Sequence, residues 1–247
     1  MPSVFLSPSS QEFNPYVDGG NEEYYMNLIA DEIIPYLEAS RISYGRNNPQ
    51  GSFVNSVRLS NEGNYDLHLA IHSNASAPQN AGSAKGTQIY YYPESEQSTR
   101  AADIFANNFK EIYPEPARVR TVATTTLGEI IRTKAPAILI EVAYHDNPED
   151  AQWIRDNIGE IAENLAMSIG DFLGVEIRIP SSQNYGTVST QGSNLNIREQ
   201  PTTNSTIKGR IPDGTRIPLL QNVNGWYRTR YNNVTGFVSA DYIRADS

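Results

Sequence analysis

No cysteine occurs among the 247 residues, which removes disulfides, thiol catalysis and thiolate metal sites from consideration. Histidine is scarce too: His68, His72 and His145 are the full set, so any imidazole chemistry must use them. No apolar run approaches the ~20 residues needed to span a bilayer. Met1 leads into Pro2-Ser3-Val4-Phe5-Leu6 without the basic and apolar regions of a secretory leader. Basic residues are outnumbered 28 to 19, and the net charge of −9 speaks against a nucleic-acid binder. What remains is 38% hydrophobic and 10% aromatic, the mix of an ordinary folded chain, long enough for one or two domains of roughly 100 to 200 residues.

Charge and texture divide the chain. Residues 1–176 carry 24 acidic against 11 basic side chains, whereas residues 177–247 carry 4 against 8, a net +4. In the first part, Ser3–Ser7, Leu67–His72, Thr87–Tyr92 and Ala137–Val142 read as strands. Met26, Ile29, Ala30, Ile33, Ile34 and Leu37 form one helical stripe, with Pro35 as a point of kinking, and Ile154 to Phe172 repeat the pattern. Runs such as Ala137-Ile138-Leu139-Ile140 are apolar on both faces, which places them in the middle of a sheet covered by helices. The expected architecture is α/β, an open, twisted, mostly parallel sheet flanked by helices over residues 1–176. Residues 177–185 read as a linker, and residues 186–247, with short β-type runs broken by Gly, Asn, Asp and Pro, read as a small all-β module.

Two positions stand out chemically. His72 ends the buried strand candidate Leu67-His68-Leu69-Ala70-Ile71-His72 just where polar residues begin, and the carboxyl ends of strands are where open α/β sheets gather their sites. His68 is four residues earlier, about 13 Å away at ~3.3 Å per residue, too far to share a zinc with His72. It reads as buried structure or as support. Glu141 interrupts an apolar run and costs several kcal/mol of desolvation unless something compensates. It is either paired with Arg132 or a general base whose pKa is raised by apolar surroundings. Glu22 and Glu23 open the first helix, where acidic residues complement the helix dipole or set a carboxylate at a cleft edge.

Residues 3–174 resemble the zinc-dependent N-acetylmuramoyl-L-alanine amidases of the Amidase_3 type. The resemblance rests on Glu23 followed by Tyr24-Tyr25-Met26-Asn27-Leu28, on Ile71-His72-Ser73-Asn74-Ala75, and on Pro136-Ala137-Ile138-Leu139-Ile140-Glu141-Val142-Ala143 with Asn147-Pro148-Glu149. It implies a sheet of about six strands and a zinc held by His, Glu and His. Carried onto this chain, the Glu ligand is Glu23, with Glu22 as fallback one register away, the second His ligand is His72, and Glu141 is the catalytic carboxylate. The family's loop histidine after the first strand is missing, since Ser7-Pro8-Ser9-Ser10-Gln11-Glu12 puts Ser10 at that position. Gln11 ranks first as the replacement ligand, ahead of Glu12 and His145. Asn74 and Arg132 are candidates for orienting the substrate.

The second part resembles a bacterial SH3 domain (SH3b) through Leu195-Asn196-Ile197-Arg198, Pro201, Gly225-Trp226-Tyr227 and Gly236-Phe237-Val238. Trp226, Tyr227, Tyr231, Phe237 and Tyr242 are expected in its core, and its positive charge suits anionic wall polymers. The joint expectation is a peptidoglycan hydrolase of the autolysin or endolysin kind, acting outside the cell at the wall. It would carry a leader outside this sequence, or leave the cell without one, or be released by a phage. The rival readings are a metal-free peptidoglycan-binding protein and a stem-peptide endopeptidase.

Overall fold

The apolar run at the start of the chain forms β1 (Ser3–Pro8), every residue of which is buried. The computed structural model describes residues 1–180, 184–232 and 234–246, in two units, Met1–Ile179 and Pro180–Ser247. The expected linker 177–185 includes residues 181–183, which lie outside the described residues.

In the first unit β1 is followed by α1 (Glu22–Ala39), β2 (Ser43–Arg46), α2 (Phe53–Glu62), β3 (Leu67–Asn74), β4 (Thr87–Tyr91), α3 (Glu96–Phe109), β5 (Val119–Ala123), α4 (Gly128–Ile131), β6 (Ala137–Tyr144), α5 (Pro148–Asp156) and α6 (Ile158–Leu173). The strands form one six-stranded sheet in the order β2-β1-β3-β6-β4-β5. All neighbours run parallel except β4 and β6. The mostly parallel α/β architecture read from the sequence is therefore the one observed. Both central strands, β3 and β6, are nearly continuous in buried residues, as strands covered on two faces must be. Helices α1, α3 and α6 pack together on one face, and α2 with α4 lies on the other.

Pro35 sits inside α1 with its ring exposed, where the missing N–H is least costly. The stripe from Ile154 to Phe172 belongs to two helices, because Asn157 caps the end of α5 and begins α6. Gly174 closes α6 in the left-handed conformation, φ 69°, that glycine adopts without strain.

Two registers matter for function. His72 stands opposite Glu141 across the β3–β6 pair, and Glu141 stands opposite Gln88 across β6–β4. Residues paired this way present their side chains to the same face of the sheet. The ends of β1, β3 and β6 and the starts of β4 and β5 consequently meet along one edge.

The second unit is all-β. A three-stranded antiparallel sheet joins β10 (Arg216–Leu219), β7 (Asn184–Val188) and β14 (Ile243–Ala245). A five-stranded one takes β11 (Gln221–Val223), β12 (Trp226–Tyr231), β13 (Val234–Ser239), β8 (Leu195–Arg198) and β9 (Ile207–Ile211). Its core is more aliphatic than expected: Val188, Leu195, Ile197, Ile211, Ile217, Leu219 and Val238 fill it. Of the aromatics, Phe237 is buried, Tyr227 and Tyr231 pack on the margin, Trp226 is half-buried and Tyr242 is exposed. Strand alternation gives the inward positions of β8, β9 and β10 to branched aliphatics, which leaves the rings the edges.

Candidate active site

His72 emerges at the end of β3, and its two ring nitrogens meet different carboxylates. Nδ1 lies 2.8 Å from Glu22 Oε1, and Nε2 lies 3.9 Å from Glu129 Oε2. Burial works against a charge on the ring. The Glu22 hydrogen bond and the charges of Glu141, Glu22 and Glu129 outweigh it and raise the pKa to about 9. Glu22 is 1% exposed. Burial pushes its carboxyl up, but His72, Asn14 and Ser9 hold it below the ordinary carboxylate range. Asn14 Nδ2 donates to Glu22 Oε2 at 2.6 Å, and the Ser73 amide donates to Oε1 at 3.4 Å.

The carboxylate facing His72 is thus Glu22, and Glu23 is set aside from that position. Glu23 is half-exposed beside Arg46 and Glu12, and burial together with the Glu12 charge raises its pKa. A helical wheel on Met26, Ile29, Ala30, Ile33, Ile34 and Leu37 leaves both glutamates about 50° from the centre of the stripe, at about 100° per residue. The tie is broken by Tyr25, which is buried, and Ile34, which is only partly so, and both turn the inner face toward Glu22.

Gln11 joins this pair, its side-chain amide 3.3 Å from His72 Nδ1 and 3.2 Å from Asn14. Glu12 is exposed and turned to solvent. His145 is excluded from the cluster. Its Nδ1 lies 3.1 Å from Ser73 Oγ and 2.8 Å from Ser73 O, and its ring stacks on Tyr16. Ser73, next to His72 on the strand, points to the opposite face and takes His145 with it.

Glu141 sits beside His72 with Oε2 buried and without a hydrogen-bond partner. Burial is the main cause of its raised pKa, with the Glu22 charge adding and the His72 charge opposing, and the balance stands at about 7. The alternative partner, Arg132, is exposed and makes no ion pair with it; its carbonyl accepts from Asn61 instead. Arg132 therefore stays at the surface, at the end of the α4 turn that carries Glu129. Asn74 is closer, its Nδ2 donating to Gln88 Oε1 at 3.4 Å.

Glu129 is the group that sequence reasoning missed. It is 7% exposed on the short α4, with Oε1 accepting from Ser7 Oγ at 2.5 Å and lying 3.2 Å from His68 Nε2. His68 in turn meets Ser60 Oγ at 3.0 Å and stacks on Phe5. A carboxylate between Gly128 and the apolar pair Ile130-Ile131 carried the only signal, and a surface helix end explains such a residue equally well. A cavity of about 370 Å³ opens beside the cluster, lined among others by Ser10, Gln11, Phe53, His72 and Glu129.

The Amidase_3 family, described as N-acetylmuramoyl-L-alanine amidase, matches residues 12–171. The chain belongs to this amidase family. The bacterial SH3 family matches residues 193–244. Over 95 residues the chain is 25% identical to YrvJ of Bacillus subtilis, assigned by name to the same amidases. That match takes in 38% of this chain and 18% of YrvJ, so the chain spans less than a fifth of that relative. Among solved structures, AmiC2 of Nostoc punctiforme superposes with a TM-score of 0.61 at 18% identity, covering 70% of this chain and 97% of that one. The catalytic domain of CwlV from Bacillus (Paenibacillus) polymyxa var. colistinus also gives 0.61, at 19% identity over 71% and 100%. Likeness at that identity is likeness of fold.

The family's zinc can be tested against these residues. Two donors bound ~2.0–2.1 Å from one tetrahedral ion stand roughly 3.3 Å apart; the Gln11 amide stands 3.3 Å from His72 Nδ1, and Glu22 Oε1 stands 2.8 Å from it, the closer spacing of a hydrogen bond. Among the described residues no three His, Cys, Asp or Glu side chains form a metal-holding group, so a site on Glu22 and His72 would need its third donor from another residue type. The Gln11 amide supplies an oxygen there by a half-turn of its terminal group. With Glu141 Oε2 orphaned alongside, the residues present fit the ion.

Proposed function

We propose that this amidase hydrolyses the amide between N-acetylmuramic acid and the L-alanine of the peptidoglycan stem, with zinc held by Glu22, His72 and Gln11. The observation that carries the reading is Glu141: a carboxylate at the end of a central strand, raised to about 7, with one buried oxygen lacking a partner, directly beside His72. Bound zinc would supply a polarised scissile carbonyl and a more acidic water. Glu141 Oε2 accepts the proton of the attacking water and passes it to the departing alanine nitrogen. Glu22 fixes the ring of His72, and Asn14 and Ser9 hold Glu22 in turn. The SH3-type unit keeps the enzyme on the wall, an extracellular location. No helix among the described residues is long and apolar enough to cross a membrane.

A second reading is favoured by one observation. The loop that follows β1, Ser9-Ser10-Gln11-Glu12, holds no histidine, and without zinc Glu22 and His72 satisfy one another. The chain would then bind peptidoglycan without cutting it. Mass spectrometry of purified walls incubated with the protein, with zinc or with chelator, separates the two. Stem peptides beginning in alanine, released only with metal and only with Glu141 intact, support the amidase. Cuts inside the stem would mark an endopeptidase, and retained binding with no release would mark the metal-free protein.

A further inference from the structure

The row begun by His72 and Glu141 does not stop there. Gln88 on β4 stands opposite Glu141, and Arg120 on β5 stands opposite Gln88, so His72, Glu141, Gln88 and Arg120 form one line across four strands on the same face. Strands are ~4.8 Å apart, which puts the Arg120 backbone about 10 Å beyond that of Glu141. Between them the side chains are fixed. Gln88 Oε1 accepts from the Tyr90 hydroxyl at 2.5 Å and from Asn74 Nδ2 at 3.4 Å, and Gln88 Nε2 donates to the Tyr144 hydroxyl at 3.3 Å. Tyr90, two residues beyond Gln88 on β4, lies on the same face of the sheet as the row. Arg120 itself is exposed and has no ion-pair partner among the described residues.

The charge pattern along this line has a direction. Three carboxyl groups, those of Glu22, Glu129 and Glu141, gather about His72 at one end of the row, and Arg120 stands at the other. Arg120 is the cation at the far end of the row, exposed and open to a carboxylate on a substrate. A peptide leaving the Glu141 position in extended form advances ~3.3–3.6 Å per residue, so its second residue comes within reach of a flexible arginine two strands away. We propose that Arg120 is a specificity-determining residue that recognises a free carboxylate on the second residue of the stem peptide, with Gln88, Tyr90 and Tyr144 as the polar floor under the chain between. This rests on the amidase reading for the identity of the peptide.

The test measures binding to the full chain by calorimetry, using N-acetyl-L-alanyl-γ-D-glutamyl-L-lysine as probe, with the glutamyl α-carboxylate free or amidated. The free acid should bind about tenfold more tightly than the amide, the size of one charge-assisted contact. Arg120→Ala should erase that preference, Arg120→Glu invert it, and Arg120→Lys keep part of it. Equal binding of both probes by the unmodified protein, no binding of either, or a preference that survives in Arg120→Ala overturns the inference. Wall hydrolysis is measured separately. A carboxylate preference lost in Arg120→Ala, found in a protein that cuts no wall, would sink the amidase reading while leaving this one standing.

Discussion

The assignment of roles to Glu22, Glu23 and Glu141 rests on single side chains and is testable at that level. Glu22→Gln should weaken zinc binding by about a hundredfold or more, whereas Glu23→Gln should leave it unchanged within about twofold, measured by competition with a chelating dye. His72 must lose a proton before it can serve as a ligand, and its raised pKa of about 9 makes zinc affinity climb with pH through the neutral range. Calorimetry in buffers of different ionisation enthalpy would register the released proton. For Glu141, the ordinary value of 4.5 rises to about 7, so hydrolysis should grow as pH passes through that region, and Glu141→Gln should lower turnover by ~10²–10⁴ above it and by less below, as the native carboxylate is protonated. Both shifts are upward, so the folded metal-free chain holds more protons than the unfolded one, between pH 4.5 and about 7 for Glu141 and between 6.5 and about 9 for His72. Stability without metal is then lost as pH rises across these windows, and Tm scans of the chelated protein check the sign.

At the scale of elements, the sheet was legible because its central strands are apolar on both faces, and α1 because its stripe is unbroken. What escaped was local. Strand β2 is four partly exposed residues, α4 is a single turn, and α2 has a weak apolar pattern spread over Phe53 to Glu62. None of these carries enough burial in its own sequence to announce itself. Yet α4 delivers Glu129, and the choice between Glu22 and Glu23 depended on which of Tyr25 and Ile34 turned inward, a tertiary matter. The cap of α5 is a feature of the structure: Asn147 accepts from the Glu149 and Asp150 amides and donates to Gly82 O at 2.8 Å. Asn147→Ala should cost about 1–2 kcal/mol in urea denaturation, and it should loosen the β3–β4 connection that Gly82 belongs to.

For the whole molecule, the sequence separated an acidic α/β part from a basic all-β part, and the structure has two units, each with its own hydrophobic core. A fragment ending at Ile179 should therefore fold and keep its activity on soluble muramoyl peptides while its sedimentation with intact walls falls. If the +4 charge of the second part drives adhesion, sedimentation of the full chain should weaken steadily with added salt. Salt-insensitive adhesion would assign it to apolar or hydrogen-bonded contacts instead.

The single antiparallel pairing in the sheet has a consequence for how such an enzyme can diversify. Because β4 runs against β6, the starts of β4 and β5 lie along the same rim as the ends of β1, β3 and β6. The proposed zinc donors and Glu141 come from before residue 75 and after 136, whereas Gln88, Tyr90 and Arg120 come from the stretch between. Substitutions in that middle stretch can then change the peptide-facing end of the row while the strands that carry His72 and Glu141 stay as they are.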